Sequence, residues 1–437
     1  MARHTYRNEH VAATTIPFLM VSVEATVIGV LARKAFDGVV PDAALNTTVA
    51  ILAASTAFAN ITSFLWVRLG HGRDKIKFIN ALHIAMALVV LALAAIPTTP
   101  VGLILLAAGV VIARIIWSGT ITTRSTVWAA NYPRSVRGTI AGKLATVQVL
   151  AIAFLAIGLG EAMDRDERAF RVLIPIGVAI SFVGIAAWSR VRVRNHRALI
   201  RAEAENAGPD GPSANPLRIY RTLRNDHPFA GYMGCMFFLG LGNLMVAPLM
   251  AIVVKERFDM GYLGGMLVTS TIPLALMPFV IPLWARLLDR THIITFRVYH
   301  GWVFVAANAL TFVACLMPSI PLLYAGSVMR GLAFGGGILA WNLGHLDFAP
   351  KGRETEYMGV HVTLTGLRGL LAPFLGVAIY EKFELLREGA GAYAFLFCTI
   401  LTIIGALGFI ILTRIIKPQN KHHDTIEPTP PSRAGSI

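Results

Sequence analysis

The stretch Arg7-Asn8-Glu9-His10 returns 217 residues later as Arg224-Asn225-Asp226-His227. Further matches keep the same order and nearly the same spacing: Trp66-x-Arg68-Leu69 with Trp284-x-Arg286-Leu287, Arg114 and Gly119 with Arg330 and Gly335, and Arg137 with Arg353. Each match is short, but matches in one order at one spacing indicate an internal repeat. The pattern predicts a chain built from two similar halves.

The composition is that of a membrane protein. Charged residues make up 14% of the 437 residues and hydrophobic residues 55%, with a mean hydropathy of +0.64. A soluble domain carries roughly 25% charged residues, so this chain has too few charges to cover a water-facing surface. Its apolar residues fall in runs near the length of about 20 residues that spans a bilayer. Twelve spans are predicted: 14–33, 45–67, 78–97, 101–123, 139–160, 170–189, 228–253, 262–285, 297–317, 320–344, 357–379 and 392–414.

These spans predict an all-α integral membrane protein with twelve transmembrane helices in two six-helix bundles. We expect the N-terminal bundle at 1–190, a cytoplasmic basic linker at 191–227, the C-terminal bundle at 228–416 and a disordered cytoplasmic tail at 417–437. The linker begins with alternating arginines from Arg190, which predicts a short amphipathic helix at the headgroup surface. Its Gly- and Pro-containing part, 208–212, predicts a flexible connection.

The net charge of +15 has a topological explanation. Lysines and arginines are concentrated in alternate loops, as the positive-inside rule requires when both termini are cytoplasmic. We therefore expect a multi-pass protein of the cell inner (plasma) membrane and no nucleic-acid partner. The cysteines, Cys235, Cys315 and Cys398, stand singly within predicted spans and indicate neither a disulfide framework nor a cysteine metal site.

Together, the spans, the repeat and the long basic middle loop resemble the major facilitator superfamily (MFS) of secondary transporters, over nearly the whole chain. That family has a Gly-x-Asp-Arg-Gly-Arg-Lys loop between spans 2 and 3. Here the loop keeps the glycines and basic residues, but His71 stands near the place of the family's Asp, whereas the second copy keeps Asp289-Arg290. The resemblance implies a cytoplasmic gate formed by Arg68, Arg73, Asp74, Arg286, Asp289, Arg290, Arg137 and Arg353.

Several polar residues lie inside predicted spans, where a charge at mid-depth costs about 2.5–3.5 kcal/mol on insertion scales. They are Glu24, Arg114, Arg330, Arg368, Gln148 and Asn243. The resemblance implies that spans 1, 4, 7 and 10 line a central cavity, with Glu24 and Arg114 on one side and Arg330 on the other. We predict that these residues form the substrate and ion pathway.

Three interpretations of Glu24 and Arg114 stay open at this stage. In the first, the two residues form a proton-sensitive switch, because burial favours the neutral acid while a nearby arginine favours the carboxylate. In the second they form a static pair, and in the third they are not in contact. Arg330 and Arg368 are either anchors for an anionic substrate or donors to backbone carbonyls or another helix. At the end of spans 10 and 11, His345, Asp347, Glu354, Glu356 and His361 predict a solvated gate cluster rather than a metal site.

These features predict a secondary active transporter that moves a small solute, with an anionic solute as one candidate, by alternating access and with proton coupling. An integral-membrane enzyme and a non-transporting receptor or scaffold are the alternatives. We do not expect an enzyme, because no nucleotide-binding loop, metal motif or nucleophile–base spacing is present. No cofactor and no metal are expected. The expected partners are a small-molecule substrate, a coupling proton and the lipid bilayer, with the protein a monomer.

Overall fold

The computed structural model describes residues 2–132, 134–205, 216–350 and 354–416, and in these ranges it is helical with no strand. The helices are Ala2–Thr15, Pro17–Met20, Val21–Val23, Ala25–Ala35, Asp42–Ile61, Ser63–Gly70, Lys75–Leu93, Pro100–Asn131, Arg134–Arg165, Phe170–Ser189, His196–Glu205, Pro216–Asn225, His227–Glu256, Tyr262–Met266, Leu267–Thr271, Ile272–Arg290, Ile293–Leu316, Ile320–Leu343, Gly344–Asp347, Glu354–Leu386, Ala390–Ala392 and Tyr393–Ile416.

Twelve stretches of the described chain are long and apolar enough to cross a membrane, which confirms the predicted number of spans. We number them spans 1 to 12: His4–Ala35, Asp42–Ile61, Lys75–Leu93, Pro100–Asn131, Ile140–Arg165, Phe170–Ser189, His227–Glu256, Tyr262–Arg290, Ile293–Leu316, Ile320–Asp347, Tyr357–Leu386 and Ala390–Ile416. The chain is therefore a multi-pass membrane protein. Because the spans alternate in direction, span 6 ends and span 7 begins on one side, which we call the linker end. The opposite side is the far end.

Span 1 is not one continuous helix. It starts ten residues before the predicted 14–33 and is interrupted near Pro17, whose ring removes a backbone donor. A second break lies at Glu24, which has an extended backbone (φ −68°, ψ 121°) and precedes the helix Ala25–Ala35. The residues before this break, Val21–Val23, are β-branched or hydroxyl-bearing types with modest helix propensity. The break places the carboxyl of Glu24 where the helix restarts.

The repeat is visible in the structure because the same contact between a tryptophan and a glycine occurs in each half. In the first half Trp66 of the segment after span 2 packs on Gly119 of span 4, where an added Cβ would lie 2.7 Å from the indole Cδ2. In the second half Trp284 of span 8 packs on Gly336 of span 10, at 3.0 Å. The counterpart of Gly119 is thus Gly336 rather than the predicted Gly335. A tryptophan on a glycine fixes the same close helix approach in both halves.

The two halves meet along pairs of small residues. A Cβ on Gly29 of span 1 would lie 3.3 Å from the Cβ of Ala251 on span 7, and one on Gly369 of span 11 would lie 3.0 Å from the Cβ of Ala57 on span 2. Small residues let helix backbones approach closely in a membrane. One hydrophobic core runs through this seam and contains residues of both halves. The limits proposed for the two bundles as separate units stay a prediction.

The linker differs from the prediction in one respect. An amphipathic helix was expected from Arg190, but residues 190–195 are not helical and the helix begins at His196. The reason is packing, because Val191 and Val193 are buried in a small core with Ile79 and Trp188. The predicted flexible segment 208–212 and the predicted disordered tail 417–437 lie outside the described residues.

Candidate functional site

The structure brings Glu24 and Arg114 together. The Nη2 atom of Arg114 lies 3.4 Å from the Oε2 atom of Glu24 and donates a 3.0 Å hydrogen bond to the Oγ1 atom of Thr56 on span 2. A charge-assisted hydrogen bond of this kind is usually about 2.7–2.9 Å, so the ion pair is loose. The side chain of Arg114 is 10% exposed and that of Glu24 is 22% exposed. The Nε atom of Arg114 has no partner.

This pair lies beside the seam between the halves. Thr56 is exposed, whereas the next residue, Ala57, contacts Gly369 of the other half. Two residues after Glu24, the carbonyl of Thr26 accepts a 3.1 Å hydrogen bond from Thr269 of span 8. A change at the pair is therefore only one or two residues away from contacts that join the two halves.

Arg330 and Arg368 do not contact Glu24 but have other partners. Arg330 is buried and donates to the Oγ1 atom of Thr311 on span 9 at 3.1 Å. Arg368 is buried against Gly240 of span 7 and donates to the carbonyl of Met236 and to Thr365. Of the interpretations left open for Arg368, the geometry shows contact with another helix through its backbone.

The two uncharged residues are also separate. Asn243 accepts a 2.9 Å hydrogen bond from the amide of Asn308, which also donates to Thr402 at 3.0 Å, so that spans 7, 9 and 12 are tied together. Gln148 lines a hollow inside the first half together with Glu9. Only Glu24 and Arg114, among the six predicted pathway residues, are in direct contact with each other in the structure.

The gate residues that the structure describes form no ion pair between the halves. Arg68, Arg73, Arg286, Asp289 and Arg290 are exposed. Asp74 caps the helix of span 3 by accepting from the backbone of Ile76 and Lys77, and lies 3.5 Å from His196. Between residues 2 and 350, within the described ranges, no ion pair crosses between the halves at the linker end. The side chain of Arg137 and the whole of Arg353 lie outside the described residues, so the gate stays a prediction.

The far end, by contrast, is closed by contacts that sequence reasoning missed. Arg33 of span 1 is 2% exposed and lies 2.6 Å from Glu256 of span 7, with Asp37 and Asp42 each at 3.0 Å. Lys34 donates to the carbonyl of Met260 at 2.8 Å. Further along this end, Asp164 in the last turn of span 5 accepts a 2.9 Å hydrogen bond from the backbone of Leu263 on span 8.

Two residues of the cluster predicted as solvated are buried. His361 is fully buried and His345 is 6% exposed. Asp347 accepts a 2.7 Å hydrogen bond from the backbone of Ile293 and so caps span 9. The side chains of Glu354 and Glu356 are outside the described part. Within the described residues no group of three metal-ligand side chains is placed to hold an ion.

Comparison with known proteins shows likeness in structure alone. No family model matches the sequence, and no curated protein matches it. The fold is similar to that of a D-xylose–proton symporter (TM-score 0.69, 13% identity, 94% of this chain and 96% of that one). It is also similar to the nucleoside transporter NupG (0.67, 13%, 93% and 99%) and to a POT family transporter in complex with 5-aminolevulinic acid (0.71, 11%, 94% and 96%). With twelve spans in two similar halves, and with this likeness over nearly its whole length, the chain has the fold of the major facilitator superfamily transporters.

Proposed function

We propose that the protein is a secondary active transporter that carries a small polar solute across the membrane by alternating access, with the proton as coupling ion. The observation that carries this proposal is the Glu24–Arg114 pair, at a break in span 1 and beside the seam. Broken helices and intramembrane charges beside a repeat interface are typical of binding and coupling sites in such transporters.

The distribution of contacts between the halves supports alternating access. Ion pairs and backbone hydrogen bonds close the far end, around Arg33 and Glu256, while the described gate residues at the linker end are exposed. By the charge rule the linker end is cytoplasmic. In this conformation the contacts of the far end hold the halves together there, and alternating access requires a second arrangement in which these contacts are broken.

Protonation of Glu24 would release Arg114. Two unit charges about 4 Å apart attract by about 4 kcal/mol at the effective dielectric of a protein surface, and the exposure of Glu24 lowers this figure. A proton on Glu24 removes the attraction but leaves the bond from Arg114 to Thr56. The arginine then has donors available for a solute, and the contacts next to Thr26 and Ala57 can rearrange.

The surroundings of the arginines also support a solute with an acceptor group. All three arginines donate to groups of their own half, and the Nε atoms of Arg114 and Arg368 have no partner. Arg114 differs in that its Nη2 atom is held only loosely by a carboxylate. Guanidinium groups recognise carboxylates and phosphates through such pairs of donors. An anionic group that competes with Glu24 for Arg114 would couple solute binding to proton release.

The test compares Glu24→Gln with the unaltered protein in liposomes. Uptake of a pentose, a nucleoside and a small amino acid would be measured with and without an imposed pH gradient. We expect the gradient to drive accumulation of one of them, and Glu24→Gln to abolish this response while the protein stays folded. Glu161→Gln is the matched control, because Glu161 pairs only with the exposed Arg165 at the far end.

Other outcomes favour other functions. A gradient response that survives in Glu24→Gln, with a lower melting temperature, would make the pair a static brace. Absence of accumulation for every solute would favour a receptor or scaffold, or an enzyme. The proposal also includes a monomer in the plasma membrane with both termini in the cytoplasm, which labelling of introduced cysteines from each side would check.

A further inference from the structure

A hollow with several polar side chains in its lining lies wholly inside the first half. Spans 1, 3, 4, 5 and 6 line it, and it leaves ≈ 490 Å³ of space between atoms, which includes open solvent at its mouth. Its polar lining consists of Glu9, His83, Thr120, Arg124 and Gln148, among three tryptophans. No residue of the second half contributes to the described lining. Neither Glu24 nor Arg114 lines the hollow, so it is distinct from that pair.

Three residues that line this hollow have buried polar atoms without hydrogen-bond partners. They are the Oε1 atom of Glu9, both ring nitrogens of His83 and the Oγ1 atom of Thr120. The three residues are only 3%, 1% and 1% exposed. Buried polar groups in native proteins almost always have a partner in the protein or in ordered water. A hollow with polar side chains in its lining can hold water molecules that hydrogen-bond to such unpartnered groups.

Glu9 is held between opposing influences. Its Oε2 atom accepts hydrogen bonds from the indole of Trp128 at 3.0 Å and from the hydroxyl of Tyr132 at 3.2 Å. The guanidinium of Arg124 lies 4.6 Å from the centre of the Trp128 ring. Burial disfavours an ionised carboxyl, whereas these donors and this cation favour it. Burial and the nearby Glu9 raise the pKa of the Tyr132 hydroxyl, so that Tyr132 keeps its proton and stays a donor.

The titratable groups around Glu9 come from few elements. Span 3 contributes His83, and span 4 contributes Arg124, with Tyr132 following its end. Spans 5 and 6 contribute Gln148 and Trp188 to the lining, neither of which titrates. The carboxyl of Glu9 is thus the acid of the hollow, and the imidazole of His83 is a neighbouring group that can hydrogen-bond to water.

At the positions of the second half that correspond to His83 and Glu9, similar residue types are hydrogen-bonded to protein groups. His300, 217 residues after His83, contacts Arg297 at 2.9 Å and the carbonyl of Ala333 at 2.7 Å. Asp226, 217 residues after Glu9, accepts from Tyr357 at 2.7 Å and from the backbone of Phe229 at 2.9 Å. Side chains at these two positions can therefore be satisfied by protein groups, and the unpartnered atoms of Glu9 and His83 are a difference between the halves at these positions.

We propose that this hollow is a water-filled proton-binding site, in which Glu9 takes up and releases a proton through water that also contacts His83. In the protonated form the Oε1 atom carries the hydrogen and donates it to a water molecule of the hollow. In the ionised form the same oxygen accepts from that water, and Arg124 balances the charge. The site does not depend on the proposed transport and is separate from any proton site at Glu24.

Infrared difference spectroscopy of the protein in lipid nanodiscs tests this proposal without any substrate. Between about pH 8 and pH 5 we expect the C=O stretch of a protonated carboxyl to appear. This band should be absent in Glu9→Gln and present in Glu24→Gln. A spectrum of Glu9→Gln that keeps every carboxyl band of the unaltered protein would overturn the proposal, whatever the outcome of transport assays.

A second variant guards against a fold defect in Glu9→Gln. Trp128→Phe removes one donor to the ionised carboxyl but keeps an aromatic ring in its place. The band should then appear at higher pH, because the ionised form has lost a hydrogen bond. The matched control is Trp302→Phe, which changes an exposed tryptophan of span 9 and should leave the band unmoved. Equal behaviour of the two tryptophan variants would also refute the assignment to Glu9.

Discussion

Replacing Glu256 by glutamine should weaken the closure of the far end. Glu256 is the partner of Arg33 from the other half, at 2.6 Å, and its side chain is 23% exposed. The amide of glutamine can still accept from Tyr380, which lies in the same half as residue 256, so that the fold of that half is kept. Arg33 also keeps Asp37 and Asp42 and is not left as a buried charge without a partner. The change therefore acts mainly on the contact between the halves.

The size of the effect follows from the burial of the pair. Exposed ion pairs contribute about 0–1 kcal/mol, and hydrogen bonds to charged groups about 1.5–3 kcal/mol. In the Arg33–Glu256 pair the arginine is buried and the glutamate is part-exposed, so its contribution should lie between these two ranges, at about 1.4 kcal/mol. This free energy corresponds to about a tenfold change in an equilibrium constant. The fraction of molecules open at the far end should rise about tenfold.

The assay is alkylation of a cysteine that only the open form exposes. Val30 is fully buried and lies against Gly265 of the other half, so Val30→Cys is placed at the closed surface. Cys235 would be replaced by alanine, and the native Cys315 and Cys398 are fully buried. When opening is fast compared with alkylation, the rate reports the open population. We expect about tenfold faster alkylation in Glu256→Gln.

The control uses an acid that contacts Arg33 from the same half. Asp42 belongs to span 2 and its side chain is 72% exposed, so Asp42→Asn breaks an ion pair without touching the seam. Its alkylation rate should stay within about twofold of the parent, in keeping with the small contribution of exposed pairs. An unchanged rate in Glu256→Gln, or an equal rise in Asp42→Asn, would show that this end is not held by the contact with Glu256.

Two further predictions concern stability in detergent. Gly336→Ala should lower the melting temperature, because its Cβ would overlap with the ring of His300 and overpacking costs about 1–3 kcal/mol. The control is Gly337→Ala, whose Cβ would meet Phe304 at an ordinary 3.6 Å and which should not lower the melting temperature. Equal melting temperatures of the two variants would contradict the packing described. Asn308→Ala should lower the free energy of unfolding, measured by chemical denaturation, by about 1 kcal/mol, because it removes two interhelical hydrogen bonds worth about 0.6 kcal/mol each on average. The control is Asn342→Ala, which removes a hydrogen bond within one helix. An equal loss of stability in this control would refute the argument.

The architecture could be predicted because it depends on properties that the sequence shows directly. Runs of apolar residues give the spans, since a helix must be long enough to cross the bilayer. The repeated tryptophan and glycine of each half are in contact, so the repeat reflects a real packing arrangement. The start of span 1 was placed too late, because hydropathy alone excludes a polar first turn. That error hid Glu9, which the sequence analysis noted only as part of a repeat.

The site could be predicted only in part, because hydropathy places a charge on a helix but not on a face. Glu24 and Arg114 are in contact, whereas Arg368 fits against Gly240, where the lack of a side chain admits the guanidinium. The closure at Arg33 joins the ends of spans 1 and 7, whose residues Arg33 and Glu256 are 223 positions apart, and no local pattern marks such a pair. The break at Glu24 has only the weak signal of Val21–Val23 before it. These features depend on tertiary packing.

The movement of the two halves is tested most directly by spin-label distances, which need no substrate. One label pair would stand at the far end, at the exposed positions Glu167 and Glu388, and another at the linker end, at the exposed positions Arg73 and Asp289. We predict two populations at each end, which shift in opposite directions when the pH changes and stop responding in Glu24→Gln. A single distance at both ends, unchanged by pH, would contradict a transporter whose halves rock about the Glu24–Arg114 pair.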